Sequence, residues 1–178
     1  ILGNLPDMDG DTIQILANIA PIDPKGVLKK IKCEISKVAG QKLINPESNT
    51  RKQWICLIKQ LAYDADMFDE AATVLAQFFA AEPLNYRGDS ACSDFTRLFR
   101  LRFSSTRASP EQRRTLIEKW AQSEDCRFQN CASAALDSML DTREILYFNK
   151  FDFGARSRDW GWMPLRRDNA DDKDACSW

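Results

Sequence analysis

The fold of this chain is decided by residues 50–81, which read TRKQWICLIKQLAYDADMFDEAATVLAQFFAA. In each half of this stretch, apolar residues recur at the three- and four-residue spacing of one helical face. The first face consists of Trp54, Leu57, Ile58 and Leu61, and the second of Phe68, Ala71, Ala72, Leu75, Phe78 and Phe79. Only residues 63–66 separate the two halves, so the stretch predicts an antiparallel helical hairpin with Trp54 and Phe78 in its interface.

A single hairpin leaves apolar surface on both flanks, so we expect further helix pairs to stack against it. Within the hairpin, Asp66 is expected to accept hydrogen bonds from the free amides of the second helix. Elsewhere, Asp23 and Ser109 are each followed by proline, which is typical of a helix start. The remaining predicted inward faces comprise Leu28, Ile31, Ile35 and Val38; Phe95, Leu98 and Phe99 in a helix over residues 90–102; Leu116, Ile117 and Trp120; and Phe128, Ala132, Ala135, Leu136 and Met139.

Helix pairs recur in this pattern at intervals of about 40 residues, which is the length of a HEAT or armadillo unit. The sequence therefore predicts an all-α fold, a right-handed stack of antiparallel helix pairs over residues 1–164. From residue 144 onward, aromatic residues and local alternation replace the helical period. We expect residues 144–164 to form an irregular aromatic cap, with Phe151, Phe153 and Trp160 against the last helix near Leu136 and Met139. Residues 165–178 are highly charged and predict a disordered tail.

The composition excludes several classes of function. The chain has 178 residues, 25 basic and 26 acidic side chains and no histidine. Without histidine there can be no Ser-His-Asp triad and no histidine-ligated metal, and no Walker loop or G-x-G-x-x-G motif is present. The sequence thus predicts a protein that is not an enzyme and that carries no metal and no cofactor.

The six cysteines are scattered, and Cys33, Cys56 and Cys131 fall inside helical patterns. Such spacing favours reduced thiols in or near the core over a disulfide framework. No apolar run reaches the length of a membrane span. The first residues include neither an initiator methionine nor a secretory signal. We therefore expect a piece of a larger cytoplasmic protein with no membrane partner.

Two groups of residues are candidates for binding. The first lies outside the helical pattern and combines residue types that dominate protein interfaces; it comprises Arg156, Arg158, Asp159, Trp160 and Trp162. A structural cap held by contact between Arg158 and Asp159 is the other interpretation of this segment. The second group could form a nucleic-acid-binding face and comprises Arg97, Arg100, Arg107, Arg113 and Arg114. Interspersed acidic residues also make that stretch compatible with an ordinary solvated helix surface.

Residues 151–162 read FDFGARSRDWGW and follow two shorter stretches, FTRLF at 95–99 and SPEQRR at 109–114. This combination resembles the carboxy-terminal HEAT-like repeat region of large multidomain bacterial NTPases of the STAND type, some of which are linked to antiphage defence. The likeness covers residues 50–164. It implies that an effector and an ATPase module precede such repeats, and it carries over no catalytic residue.

The leading functional hypothesis is therefore a sensor or scaffold domain of a larger bacterial protein. Such a domain would bind a protein partner or a neighbouring domain of the same chain through the concave helical surface. The alternative hypothesis is a helical nucleic-acid-binding module that uses the arginines of residues 97–114.

Overall fold

Helices make up most of the computed structural model of this chain, which describes residues 10–36, 50–83, 86, 90–141, 151–159 and 161–162. The helices are α1 (Gly10–Ile19), α2 (Pro24–Ile35), α3 (Thr50–Leu61), α4 (Ala65–Ala80), α5 (Cys92–Arg97), α6 (Pro110–Ala121) and α7 (Cys126–Leu140). Two short strands, β1 (Phe151–Phe153) and β2 (Arg156–Arg158), pair in antiparallel register as a hairpin. The prediction of a mostly helical fold is confirmed.

The centre of the fold is the pair α3 and α4, which pack against each other as the sequence predicts. Trp54 is 6% exposed and Phe78 is 4% exposed, so both predicted interface residues are buried. Helix α4 also contacts α2, α5 and α7. One hydrophobic cluster extends from Ile13 of α1 through α4 to Phe153 of β1.

The start of α4 differs from the expectation that Asp66 caps it. Asp64 is the N-cap residue, and its side chain makes no capping hydrogen bond. Asp66 lies in the first turn of the helix, where its Oδ2 is 2.6 Å from Lys25 Nζ of α2. The carboxylate of Asp66 thus joins two helices instead of capping its own.

Aromatic rings fill the space between α4, α5 and α6. The ring centroids of Phe95 and Phe99 lie 5.3 Å apart, and Trp120 lies within 5.7 Å of both. The predicted inward residues of α5 are therefore buried, but the helix is shorter than residues 90–102. It ends at Arg97 because the chain turns into a loop in which Phe103 and Ser105 adopt positive φ angles of 55° and 57°.

Helix α6 begins where the sequence predicts, and both α6 and α7 have a capping side chain at their start. The Ser109 hydroxyl accepts a hydrogen bond from the Gln112 amide, and the Asp125 carboxylate accepts one from the Arg127 amide. The prediction that Leu136 faces inward is wrong, because its side chain is 45% exposed. The face of α7 that meets α4 and α5 is made by residues such as Cys131, Ala132 and Ala135.

The β-hairpin lies at the connection between α3 and α4, not against α7 as we expected of the cap. The Phe151 ring meets the Tyr63 ring edge-on at 5.7 Å, and Gly154 lies against Pro21. Trp160, the rest of the predicted cap within 144–164, and the predicted tail at 165–178 lie outside the described residues.

Two of the cysteines expected in or near the core are exposed, namely Cys33 and Cys56. The apolar faces of α2 and α3 include neighbours such as Ile31 and Ile55, so these thiols point away from the packed side. Cys131 is buried, and burial raises the pKa of its thiol to about 12.

Truncation of the interface between α3 and α4 should be strongly destabilising. We expect Trp54→Ala and Phe78→Ala each to lower the free energy of unfolding by about 3–5 kcal/mol, because each leaves a cavity in the core. Urea denaturation measures the loss. The exposed neighbour Gln53 provides the control, since Gln53→Ala should change stability by less than about 0.5 kcal/mol. Equal stability of all three variants would show that this interface is not the core.

Candidate functional site

The β-hairpin joins the helical body at a cluster of five side chains that we call the Tyr63 junction: Tyr63, Asp64, Arg107, Arg158 and Asp159. Tyr63 and Asp64 lie in the short connection between α3 and α4. Arg107 belongs to the loop before α6, and Arg158 and Asp159 stand at the end of β2. Three distant parts of the chain therefore meet here.

The Tyr63 hydroxyl is at the centre of the junction. It donates a hydrogen bond to Asp159 Oδ1 at 2.6 Å and accepts one from Arg107 Nε at 2.9 Å. Arg107 Nη2 also lies 3.0 Å from Asp159 Oδ2. A buried tyrosine hydroxyl needs such partners, because an unpaired polar group away from water destabilises the fold.

Arg158 packs over the Tyr63 ring, with its guanidinium carbon 4.5 Å from the ring centroid. It donates two hydrogen bonds to the Asp64 carboxylate, at 3.1 and 2.9 Å. The side chain of Arg158 is only 12% exposed. Two parallel hydrogen bonds of a guanidinium to a carboxylate fix geometry as well as charge.

Backbone contacts complete the attachment. The amide of Arg107 donates to the Tyr63 carbonyl at 2.7 Å, and the amide of Trp162 donates to the Thr106 carbonyl at 2.6 Å. Gly161 has a φ of +91°, and a Cβ atom there would lie 2.4 Å from the backbone of Thr106. The close approach of these two chain segments therefore requires glycine.

The shifted pKa values at the junction keep Tyr63 neutral and Asp159 ionised at pH 7. Burial and the hydrogen bond to Asp159 raise the pKa of Tyr63. Burial would also raise the pKa of Asp159, but hydrogen bonds from Tyr63 and the Gly161 amide, together with the charge of Arg107, lower it below its usual value. Both pKa values move away from neutrality, so neither group is suited to accept and release protons at pH 7.

Of the candidate binding group, the structure places Arg158 and Asp159 in the Tyr63 junction. The two residues contact different partners there. Arg158 pairs with Asp64 and Asp159 pairs with Arg107 and Tyr63, so the expected network between Arg158 and Asp159 themselves is wrong. Adjacent residues of an extended strand point to opposite faces, which explains the two different partners. Trp162 is half-buried. Trp160 and the side chain of Arg156 lie outside what the structure describes.

The structure contradicts the assignment of Arg113 to a nucleic-acid-binding face. Its side chain is 0% exposed and cannot reach a phosphate. It donates to the Arg100 carbonyl and, at 2.8 Å, to the Ser104 hydroxyl. Burial lowers the pKa of Arg113 to about 10, so the guanidinium stays charged at neutral pH.

Neighbouring carboxylates neutralise the positive charge of two further arginines of that group. Arg114 forms ion pairs with Glu111 and Glu118, and Arg107 pairs with Asp159. Arg100 lines an open depression of about 450 Å³ between α5 and α7, which Asp137 and Asp141 also line. These residues therefore do not form a uniformly basic surface, and nothing in their arrangement favours the nucleic-acid hypothesis.

Two surface features were not predicted from the sequence. A groove of about 640 Å³ lies between α2 and α4, with lysines along its α2 side. On α1 and the turn after it, Ile15, Ile19 and Ile22 are 52%, 39% and 84% exposed. The signal for the second feature was present in the sequence, because residues 12–22 contain no charged side chain.

Within the described residues, no three His, Cys, Asp or Glu side chains converge in a way that could hold a metal ion. None of the described helices combines the length and apolar character that crossing a membrane requires. Comparison with protein-family models, with curated proteins and with solved structures finds no match for this chain.

Loss of the Tyr63 hydroxyl should weaken attachment of the hairpin without disturbing the ring contacts. We expect Tyr63→Phe to destabilise the chain by about 0.5–1.5 kcal/mol, because Asp159 and Arg107 lose a shared partner but are more than half exposed and regain water. Amide hydrogen exchange within residues 151–159 should become faster. The matched control is Tyr86→Phe, which removes a hydroxyl outside the junction. Unchanged exchange in Tyr63→Phe would contradict the role given to this hydroxyl.

The junction should also weaken in acid. The pKa of Asp159 is lower in the folded chain than its ordinary value of 3.8, so its stabilising contribution is present above that pH and is lost as the pH falls through the lowered pKa. Urea denaturation of the wild type and of Asp159→Asn between pH 6 and pH 3 tests this. The stability difference should shrink toward pH 3, and a constant difference would refute the assignment.

Proposed function

We propose that this chain is a non-catalytic interaction module of a larger bacterial cytoplasmic protein and that it binds a neighbouring helical element through the outer face of α1. The observation that carries the proposal is the exposed apolar row of Ile15, Ile19 and Ile22. Exposed apolar patches of this kind mark contact surfaces when they are contiguous.

The opposite side of α1 supports this proposal. Ile13 and Leu16 are buried against the helical body, so α1 is apolar on its inner and its outer side. Apolar residues on the side of a helix that faces away from the body offer a surface that a further element can cover. Among the α1 side chains that the structure describes, the exposed hydrogen-bonding ones are Gln14 and Asn18, which bond to each other at 3.4 Å. Residues 15–22 carry no charged side chain, and this part of the surface fits a partner that is itself apolar and uncharged.

A helical element is the partner we favour because α1 lies at one side of the fold, where it contacts α2 and α3. In a stack of helix pairs, each pair covers the apolar face of the next. The resemblance to the repeat region of STAND-type NTPases supports the same proposal, since further repeats of one protein would then supply the covering helices. A Walker motif in the same reading frame would support that assignment.

The titratable groups support a role without catalysis. The described groups with a shifted pKa include Tyr63, Asp159, Arg113 and Cys131. In each case the shifted pKa lies well away from neutral pH. Catalytic acids and bases are instead tuned toward the working pH. Each of these shifts also has a structural cause in burial or in a contact that holds two segments together.

Site-specific photo-crosslinking in cells tests the proposal. A crosslinking amino acid at positions 15, 19 and 22 should capture one and the same protein segment, whereas the exposed position Lys119 on α6 should not capture it. Ile22→Lys should reduce crosslinking from position 15 about tenfold, because burial of an isoleucine contributes about 1.5–3 kcal/mol. The melting temperature should not change.

Two results would reject the α1 face as the contact surface. One is capture of different proteins from the three isoleucine positions, and the other is crosslinking that Ile22→Lys leaves unaltered. A captured segment that is not helical would reject the helical partner while leaving the surface assignment in place.

A further inference from the structure

The turn of the β-hairpin lies against the connection between α1 and α2. The strand register leaves only Gly154 and Ala155 between β1 and β2, as a two-residue turn. A Cβ atom on Gly154 would lie 2.6 Å from Pro21 Cβ, so the hairpin and the helix connection touch there. Pro21 immediately precedes Ile22, whose side chain is 84% exposed. The hairpin turn is therefore the neighbour of the isoleucine row on α1.

Contacts along its whole length fix the position of the hairpin. At its base, the Phe151 ring meets the Tyr63 ring edge-on at 5.7 Å, and Arg158 donates to Asp64. Between the base and the turn, Phe153 is 4% exposed and belongs to the hydrophobic cluster that includes buried residues of α1. The hairpin thus extends from the α3–α4 connection to the α1–α2 connection. A surface held in this way needs little ordering when a partner binds, which favours affinity.

The turn continues the apolar character of the α1 face. Gly154 and Ala155 are both exposed, and neither offers a charge or a hydrogen-bonding side chain. The φ of +62° at Gly154 accounts for glycine at that position, whereas Ala155 stands where hairpin turns commonly carry asparagine, aspartate or serine. The exposed methyl group of Ala155 matters because it extends a patch that already contains Ile19 and Ile22.

The outward side of the strands is polar. Asp152 and Ser157 are exposed and lie opposite each other in the strand register, and the Ser157 hydroxyl donates to Asp152 Oδ1 at 2.8 Å. Successive residues of a strand point to opposite sides, so Phe151 and Phe153 occupy the inward side. A partner that is apolar and uncharged therefore meets a matching surface at the turn but not on the strands.

We propose that the helical element bound to the α1 face also packs on the hairpin turn, so that Ile19, Ile22 and Ala155 form one contact surface. This inference rests on the proposed function and adds a second segment of the chain to its surface. A helix with its side chains is about 10–12 Å wide, which is enough to cover both the isoleucine row and the turn that touches Pro21. The small residues of the turn let the helix approach its backbone closely.

Photo-crosslinking from the hairpin of the full chain in cells tests this inference. A crosslinking amino acid at position 155 should capture the same protein segment as one at position 22. Position 157 is the matched control, because it is exposed on the same hairpin, two residues away, and faces outward. It should not capture the segment that position 22 captures.

A charge at the turn should weaken the contact. Ala155→Lys should reduce crosslinking from position 15 about fourfold, because the methyl group of Ala155 is no longer buried against the partner. Ser157→Lys places the same charge on the outward side and should leave that crosslinking unchanged. Both variants should keep the amide hydrogen exchange of the wild type within residues 151–159, since both positions are exposed.

Failure of this inference differs from failure of the proposed function. If positions 15, 19 and 22 capture one segment but position 155 does not, or if Ala155→Lys has no effect, the α1 face acts without the hairpin and the inference is overturned. Capture of that segment from position 157 would also overturn it, since the partner would then run along the strands. If positions 15, 19 and 22 capture no common segment, both proposals are rejected.

Discussion

The short connection between α3 and α4 is the constraint on which the rest of the structure depends. Only Ala62, Tyr63 and Asp64 separate the two helices. Because Asp64 makes no capping hydrogen bond, its carboxylate is available to Arg158, 94 residues away in sequence. The Tyr63 carbonyl likewise receives the Arg107 amide. A turn that joins two helices locally thus also fixes the position of two distant segments.

Arg113 likewise joins two segments of the chain, inside the helical body. It lies on α6, is fully buried, and donates to acceptors in the loop that follows α5. Burying a charge is costly unless hydrogen bonds compensate it, and here a carbonyl and a hydroxyl do so although Nε has no partner among the described atoms. The loop that supplies those acceptors contains the positive φ angles of Phe103 and Ser105. The guanidinium and the unusual loop conformation therefore depend on each other.

Local patterns in the sequence predicted most of the helices, although the cap of α4 and the end of α5 differ. Ser109 was identifiable because a capping side chain acts within three residues. The apolar period also placed Trp54, Phe78 and Phe95 in the core, because a helical face depends on neighbours one turn away.

Contacts between distant segments could not be predicted in this way. The hairpin packs on Tyr63 instead of α7, and no periodicity encodes which apolar surface a segment will meet. Arg113 looked like a surface residue because its type is usually exposed, and only the tertiary structure reveals the loop that encloses it. For the same reason the sequence identified Arg158 and Asp159 as candidates but not Asp64, Tyr63 and Arg107 as their partners.

The ion pair between Arg51 and Glu82 is almost fully buried, with side-chain exposures of 4% and 5%. Glu82 also accepts from the Ser90 hydroxyl and the Ala91 amide, while Arg51 donates to the Phe78 carbonyl. Loss of either partner alone would strand a charge in the interior, and joint replacement by apolar residues would leave the Ala91 amide without this acceptor. Substitution of either residue first therefore passes through a destabilised variant. We expect descendants of this domain to keep Arg51 and Glu82 together.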